Sequence, residues 1–180
     1  MITVLSGFGG QGLLFAGQVL AQAGLEGGRH VSWLPSYGPE MRGGTASCTV
    51  IVSERPIGSP IADVADVVIA LNPPSLARFE GLLRPGGLLV INDSLIETEP
   101  ARTDIEVLRV PCSAIARGAG DDRVVSIVAL GAAMARRPIV TEAVLREGLR
   151  TVAHRAGPDA VERNLRALEA GSEAGALVPA

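Results

Sequence analysis

Lysine is absent from this 180-residue chain, whose 16 basic residues are all arginine. The absence excludes chemistry that depends on a lysine amine, such as a Schiff base or the phosphate contact of a P-loop. The formal net charge is −3. The chain therefore lacks the basic excess with which proteins bind the phosphates of nucleic acids, and no nucleic-acid partner is expected.

Cysteine is scarce as well, since only Cys48 and Cys112 occur. They lie far apart and form no C-x-x-C pair, so cysteine cannot build an iron–sulfur cluster or a zinc site within this chain. Both are expected to behave as small hydrophobes in a reducing, cytoplasmic setting. His30 and His154 are isolated. The sequence therefore predicts no metal site and no catalytic side chain.

Long apolar runs are missing too, so no segment is expected to span a membrane. The N-terminal residues 1–4 lack a basic region before their apolar run and predict a core strand, not a signal peptide. The chain length suits one domain, which we place at 1–171, with a flexible tail at 172–180.

Short apolar segments alternate with longer segments of helical spacing. Strands are predicted at 2–6, 30–35, 45–53, 66–71, 88–92 and 105–110, and helices at 13–26, 72–84, 123–136, 141–154 and 158–170. Asp121 and Thr141 are expected to begin helices. The pattern predicts an α/β fold with a Rossmann-like, mostly parallel sheet flanked by helices, several of them at the C-terminal end.

A glycine-rich loop connects the first predicted strand to the first predicted helix. Its pattern is G-x-G-x-x-G, and its candidate ligand- or partner-facing residues are Gly7, Gly9, Gly10, Gln11 and Gly12. Glycines let backbone amides approach an anion, and a helix N-terminus adds partial positive charge. A dinucleotide site would also need an acid after the second strand, and none stands at 33–36. Close strand–helix packing is the alternative role of these glycines.

A second unusual loop follows the second predicted strand. Its candidate residues are Ser36, Tyr37, Gly38, Pro39, Glu40, Arg42, Gly43 and Gly44. We expect it at the carboxyl edge of the sheet, beside the glycine loop, where open α/β sheets bind ligands. Arg42 is suited to hold a carboxylate or phosphate. Two alternatives are a pair between Glu40 and Arg42, and a rigid turn that docks a neighbouring chain.

The glycine loop, followed by Ser36-Tyr37-Gly38-Pro39-Glu40-Met41-Arg42-Gly43-Gly44, resembles the gamma subunit, or gamma domain, of 2-oxoacid:ferredoxin oxidoreductases. The form of the second loop is closest to the 2-oxoglutarate branch. Segments 71–79, 83–87, 92–94, 128–132 and 164–171 fit the same family, so the resemblance covers nearly the whole chain. One departure is Ser126, where many members carry asparagine.

The resemblance implies a role in the oxidative decarboxylation of a 2-oxoacid to an acyl-CoA. Such complexes use thiamine diphosphate, magnesium, iron–sulfur clusters and coenzyme A. This chain has neither a Gly-Asp-Gly thiamine motif nor a cysteine cluster. Alpha and beta subunits, and a ferredoxin-like delta subunit, are therefore expected to hold these cofactors. The isolated chain is expected to be inactive, to support the catalytic subunits and to border the coenzyme A or substrate region.

Other functions stay open at this point. The glycine loop favours a free-standing Rossmann-type NAD(P)-binding reductase, which the missing acid opposes. A methyltransferase-like domain is less favoured because Ser6 stands where an acid is expected before the loop. A non-catalytic scaffold domain overlaps with the gamma-subunit role.

Overall fold

The computed structural model describes residues 1–37 and 45–177. Within them, six strands and six helices follow one another, with short 3-10 turns between some of them. The strands are β1 (Ile2–Phe8), β2 (His30–Tyr37), β3 (Thr45–Ser53), β4 (Ala65–Ala70), β5 (Leu83–Asn92) and β6 (Glu106–Val110). The helices are α1 (Leu13–Glu26), α2 (Pro73–Phe79), α3 (Cys112–Gly118), α4 (Val125–Arg136), α5 (Glu142–Ala153) and α6 (Pro158–Leu177).

The six strands form one mixed sheet in the order β2-β3-β1-β4-β5-β6. The strands β1, β4, β5 and β6 are parallel, whereas β3 is antiparallel to both β1 and β2. The predicted α/β fold with a mostly parallel sheet and C-terminal helices is confirmed. The strand β3 runs against the others because its connection to β2 is too short for a parallel crossover.

Hydrophobic side chains form one cluster on each side of the sheet. The larger cluster joins α1 and the C-terminal helices to the side of the sheet that carries Leu5, Val50 and Val90. The smaller one joins Leu76 and Phe79 of α2 to the opposite side. The apolar strands β4 and β5 contribute to both clusters, as expected for parallel strands that are covered on both faces.

The helices α4 and α6 approach each other through glycine. A Cβ on Gly131 would lie 2.2 Å from the carbonyl oxygen of Leu168, and one on Gly171 would lie 2.0 Å from that of Val128. A Cβ on Gly175 would lie 2.6 Å from the Ala132 oxygen. No side chain fits at these distances, so glycine sets the spacing of the two helices.

The predicted helix at 72–84 is too long. The helix α2 ends at Phe79, a 3-10 turn follows, and β5 already begins at Leu83. The predicted turn at 85–87 lies inside β5, whose register against β4 shifts between Ala65 and Val67. Leu83 pairs with Ala65 and Leu88 with Val67, so residues 84–87 have no partner in β4, and Gly86 has a φ of +69°. The turn residues Pro85-Gly86-Gly87 therefore form a bulge within β5 instead of a connection before it.

The structure differs from the sequence-based expectations in three other places. The short helix α3 was not predicted, because its seven residues lie between Pro111 and the Gly118–Gly120 segment and give little periodic signal. The expected flexible tail is wrong for 172–177, because α6 continues to Leu177 with Gly175 packed on α4. Ser36 and Tyr37, expected in a loop, belong to β2. No helix in the described part of the chain is long and apolar enough to cross a membrane.

Candidate functional site

The glycine loop lies between the end of β1 and the start of α1. Gly10 and Gly12 have φ angles of +94° and +76°, which favour glycine, and Gly12 is the N-cap of α1. The Gln11 side-chain Oε1 accepts a hydrogen bond of 2.6 Å from the Phe8 amide. The Gln11 amide donates to the Phe8 carbonyl oxygen at 3.3 Å. Gln11 therefore closes the loop on itself.

The glycines of this loop divide into two kinds. A Cβ on Gly7 would lie 2.9 Å from the Leu71 Cβ, and one on Gly12 would lie 2.4 Å from the Arg123 carbonyl oxygen. Gly9 and Gly10 are exposed, and a Cβ at either would meet no atom within 4 Å. Close packing thus explains Gly7 and Gly12, whereas Gly9 and Gly10 border open space that a ligand or partner can reach.

A buried hydroxyl faces the same loop from α4. The Ser126 Oγ is fully buried, has no hydrogen-bond partner, and lies 2.9 Å from the position of a Cβ on Gly12. A buried hydroxyl without a partner costs free energy unless something binds it. Sequence reasoning noted Ser126 only as a departure from the family pattern. No local signal could place it at the loop, because the contact depends on how α4 packs against α1.

Asp121 holds the segment that precedes Ser126. Its carboxylate accepts hydrogen bonds from the Arg123 amide at 2.9 Å and from the Arg123 guanidinium, and it lies 3.2 Å from Nε of Arg163 on α6. The hydrogen bonds from Arg123 hold the pKa of Asp121 at about 2. The prediction that Asp121 begins a helical segment is confirmed. This network fixes the wall against which Gly12 packs.

Asp121 gives the chain an acid-sensitive contribution to stability. Its pKa in the folded state lies below the unfolded value of about 3.9, so protonation favours unfolding. The contribution is complete above about pH 4 and is lost as the pH falls toward 2. We expect Asp121→Asn to flatten the urea midpoint between pH 4 and pH 2. An equally steep fall in the variant would show that other carboxylates control this range.

The second candidate loop begins at the same edge of the sheet. Tyr37 pairs with Ala46, and Ala46 pairs on its other side with Gly7, so the three backbones lie side by side. The Ser6 hydroxyl bonds the Ala46 carbonyl oxygen at 3.3 Å and the Ser75 hydroxyl at 2.9 Å. The remaining predicted residues lie outside the described part of the chain: Gly38, Pro39, Glu40, Arg42, Gly43 and Gly44. Their ligand- or partner-facing role stays a prediction.

The buried cysteines are poor nucleophiles. Burial raises the pKa of the Cys48 and Cys112 thiols to about 12, so both stay protonated near neutral pH. His30 begins β2, whereas His154 lies in the 3-10 turn after α5. Among residues 1–37 and 45–177, no three His, Cys, Asp or Glu side chains are grouped so that they could hold a metal ion.

The order of the strands opposes a dinucleotide site. A nicotinamide cofactor needs an acid at the end of the strand beside β1, where it holds the ribose hydroxyls. In this sheet the neighbour of β1 on that side is the antiparallel β3, and β2 lies one strand farther out. The carboxyl end of the adjacent strand therefore points away from the glycine loop.

Fold and site together define an α/β domain with an open glycine loop at the carboxyl edge of its sheet. The family model for pyruvate ferredoxin/flavodoxin oxidoreductases matches residues 3–174. The chain belongs to this family, and the resemblance inferred from the two loops is thereby confirmed.

Two curated or solved proteins of related function and one further solved structure are similar to this chain. The ketoisovalerate oxidoreductase subunit VorA of Methanothermobacter marburgensis is 40% identical over 171 residues, which are 94% of this chain and 35% of VorA. The chain thus spans about a third of that relative. The crystal structure of a keto/oxoacid ferredoxin oxidoreductase gamma subunit from Geobacter sulfurreducens PCA matches with a TM-score of 0.82 and 29% identity, over 97% of both chains.

The third is the 2-oxoglutarate:ferredoxin oxidoreductase of Magnetococcus marinus, solved with 2-oxoglutarate, coenzyme A and succinyl-CoA bound. It matches with a TM-score of 0.86 and 23% identity over 99% of this chain and 31% of that one. This likeness concerns the fold.

Proposed function

We propose that this chain is the gamma subunit of a thiamine-diphosphate-dependent 2-oxoacid:ferredoxin oxidoreductase, which oxidatively decarboxylates a 2-oxoacid to an acyl-CoA. The observation that carries the proposal is the family match over 3–174, together with a glycine loop that opens outward at Gly9 and Gly10. The complex would work in the cytoplasm. Its partners would be alpha and beta subunits and a ferredoxin-like delta subunit.

The cofactors of the redox chemistry do not fit the residues of this chain. An iron–sulfur cluster needs several thiolates, and the two cysteines here are both buried and separate. Magnesium at a diphosphate needs convergent oxygen ligands, and the described residues hold no such group. We therefore assign thiamine diphosphate, magnesium and the clusters to the partner subunits.

Coenzyme A fits the glycine loop better, because its phosphates match what the loop offers. The amides of Gly9, Gly10 and Gly12 and the N-terminus of α1 favour an anion, and the buried Ser126 packs behind Gly12. When bound, coenzyme A supplies the thiol that accepts the acyl group. This chain would bind and orient the carrier, while Gln11 and Gly12 keep the loop in its open shape.

The role of the whole chain is tested in the reconstituted complex. We expect oxoacid-dependent reduction of ferredoxin with the chain present and loss of acyl-CoA formation without it. Equal rates of acyl-CoA formation with and without the chain would contradict the proposal. An isolated chain that binds NADH or NADPH tightly would favour the reductase alternative instead.

Removing the Ser126 hydroxyl should affect the KM for coenzyme A and the free energy of unfolding differently. We expect Ser126→Ala to raise the KM for coenzyme A about 2- to 10-fold, because the buried side chain packs behind Gly12 and its loss lets the loop shift. The free energy of unfolding should stay constant or rise by about 1 kcal/mol, because a buried hydroxyl without a partner is removed. Steady-state kinetics and urea denaturation measure the two quantities.

Thr3 is the matched control for this test. Its hydroxyl is also fully buried without a hydrogen-bond partner, but it lies near the start of β1, at the opposite end of the strand from the glycine loop. Thr3→Val should change stability in the same direction and leave the KM for coenzyme A unaltered. If both variants change the KM equally, Ser126 does not position the glycine loop.

A further inference from the structure

Gln11 is the only residue of the glycine loop Gly7–Gly12 that carries a polar side chain. Its Oε1 accepts a hydrogen bond of 2.6 Å from the Phe8 amide. This bond decides which way the side-chain amide faces, because a backbone N–H can bond the oxygen but not the NH2 group. Oε1 is therefore turned toward the backbone of the loop, and Nε2 lies on the other branch of the planar amide.

The Nε2 of Gln11 is available to a ligand. In the described part of the chain it has no hydrogen-bond partner, and it does not belong to the buried polar atoms that lack one. The residue as a whole is partly exposed. Nε2 is therefore open to solvent, and its N–H groups can donate to an acceptor that arrives from outside.

Gly7 lets the Gln11 side chain take this position. A Cβ on Gly7 would lie 2.4 Å from Oε1 of Gln11 and 3.4 Å from its Cδ. A residue with a side chain at position 7 would therefore push the glutamine off the loop. Because Gly7 and the Phe8 amide hold the side chain in place, a ligand that binds Nε2 does not have to order a freely rotating glutamine.

The backbone amides around Gln11 are suited to the same ligand. Gly12 begins α1 without a side-chain cap, and the first turn of this helix contains no acidic residue. Gly9 and Gly10 border open space. The segment Gly7–Gly12 contains no arginine, so a bound oxygen would be met by backbone amides and by the neutral Gln11 amide. Such a set of donors matches a phosphate group, which offers several acceptor oxygens.

We propose that Gln11 is a binding residue for coenzyme A, one of whose phosphates accepts a hydrogen bond from Nε2. The inference rests on the proposed function, and it gives Gln11 a second role besides closing the loop. Oε1 anchors the side chain on the Phe8 amide, and Nε2 binds the ligand. Binding therefore depends on which atom stands at this branch of the side chain, and not on the shape of the loop alone.

The test is the substitution Gln11→Glu in the reconstituted complex. Glutamate has the same length, and one of its carboxylate oxygens can still accept the hydrogen bond from the Phe8 amide. The other oxygen replaces the Nε2 donor by a negatively charged acceptor, which repels a phosphate. We expect the KM for coenzyme A to rise about 10-fold or more, and the KM for the 2-oxoacid to stay unchanged.

Thermal stability separates this effect from damage to the loop. A negative charge near the N-terminus of a helix is favourable, so the Tm of the Gln11→Glu chain should equal or exceed that of the wild type. Gln11→Met removes both the anchor and the donor, and we expect it to raise the KM and lower the Tm together. A wild-type KM in Gln11→Glu, beside a raised KM in Gln11→Met, would show that Gln11 only holds the loop.

Gln18→Glu is the matched control, because Gln18 is exposed on the same helix about two turns after the loop. It makes the same change of charge and should leave the KM for coenzyme A unaltered. If the wild-type complex forms no acyl-CoA, the proposed function fails. If the wild-type complex forms it and Gln11→Glu has the same KM for coenzyme A, only the role of Gln11 fails.

Pantetheine shows whether the effect passes through a phosphate, because it carries the thiol arm of coenzyme A without the phosphates. We expect the wild-type and Gln11→Glu complexes to have equal KM values for pantetheine as the acyl acceptor. An equal fold-rise for pantetheine and coenzyme A would overturn the proposal, since Gln11 would then act on the thiol arm or on the loop as a whole.

Discussion

Replacing Gly171 with alanine will lower the free energy of unfolding by about 3 kcal/mol or more. The added Cβ would lie 2.0 Å from the Val128 carbonyl oxygen and 2.7 Å from its carbonyl carbon. These are backbone atoms, so the clash cannot be relieved by a rotamer change. The helices α4 and α6 would have to separate, and the buried side chains between them, such as Ile127 and Leu168, would lose contacts.

Gly118→Ala is the matched control for this substitution. Gly118 ends the short helix α3, and a Cβ there would meet no atom within 4 Å. Alanine has a higher helix propensity than glycine, so we expect no loss or a gain below about 1 kcal/mol. Urea denaturation and thermal melting measure both variants. A Gly171→Ala chain as stable as Gly118→Ala would show that the two helices are not packed as closely as described.

Glycine at 171 also explains why the sequence alone misplaced the end of α6. A glycine after a helical pattern normally indicates a C-terminal boundary. Here Gly171 and Gly175 lie within the helix, where they allow α4 to approach. A glycine can thus end a helix or lie inside one where another helix approaches, and only the tertiary contact distinguishes the two roles.

Elements bounded by local signals were predicted well. The helix α1 spans Leu13–Glu26 as expected, because glycines stand at both of its ends. The strand β3 spans Thr45–Ser53, a segment rich in β-branched residues. The run at 83–87 was predicted in part: its turn residues form a bulge with a φ of +69° at Gly86, but the pairing of Leu83 with Ala65 starts β5 before the bulge. Local chemistry therefore decided the first two elements, and long-range pairing set the start of the third.

Part of the candidate site could also be predicted from local sequence, and part of it could not. The pattern of glycines in Gly7–Gly12 already indicated a strand-to-helix loop, and the φ angles at Gly10 and Gly12 agree with it. Asp121 and Ser126 stand more than 100 positions after the glycine loop in the sequence. Their place beside the loop follows from the packing of α4 and α6, which no spacing within the sequence reveals.

Replacing Gly12 with alanine will remove the function of the glycine loop. Gly12 has a φ of +76°, a conformation that costs other residues roughly 1–2 kcal/mol. The added Cβ would also lie 2.4 Å from the Arg123 carbonyl oxygen and 2.9 Å from the Ser126 Oγ. Relief of this clash moves the N-terminus of α1 away from Ser126. We expect the KM for coenzyme A in the assembled complex to rise at least 10-fold, with a loss of about 2 kcal/mol in the free energy of unfolding.

Gly28→Ala is the control that separates the clash at Gly12 from the backbone strain of a positive φ. Gly28 has a similar φ of +70°, but a Cβ there would meet no atom within 4 Å, and the residue lies after α1, away from the loop. Its substitution should cost about 1 kcal/mol of stability and leave the KM unchanged. Steady-state kinetics of the two complexes, at a temperature where both chains are folded, makes the comparison. Equal KM values would mean that the position of α1 relative to Ser126 does not affect binding, and the glycine loop would then be a packing device alone.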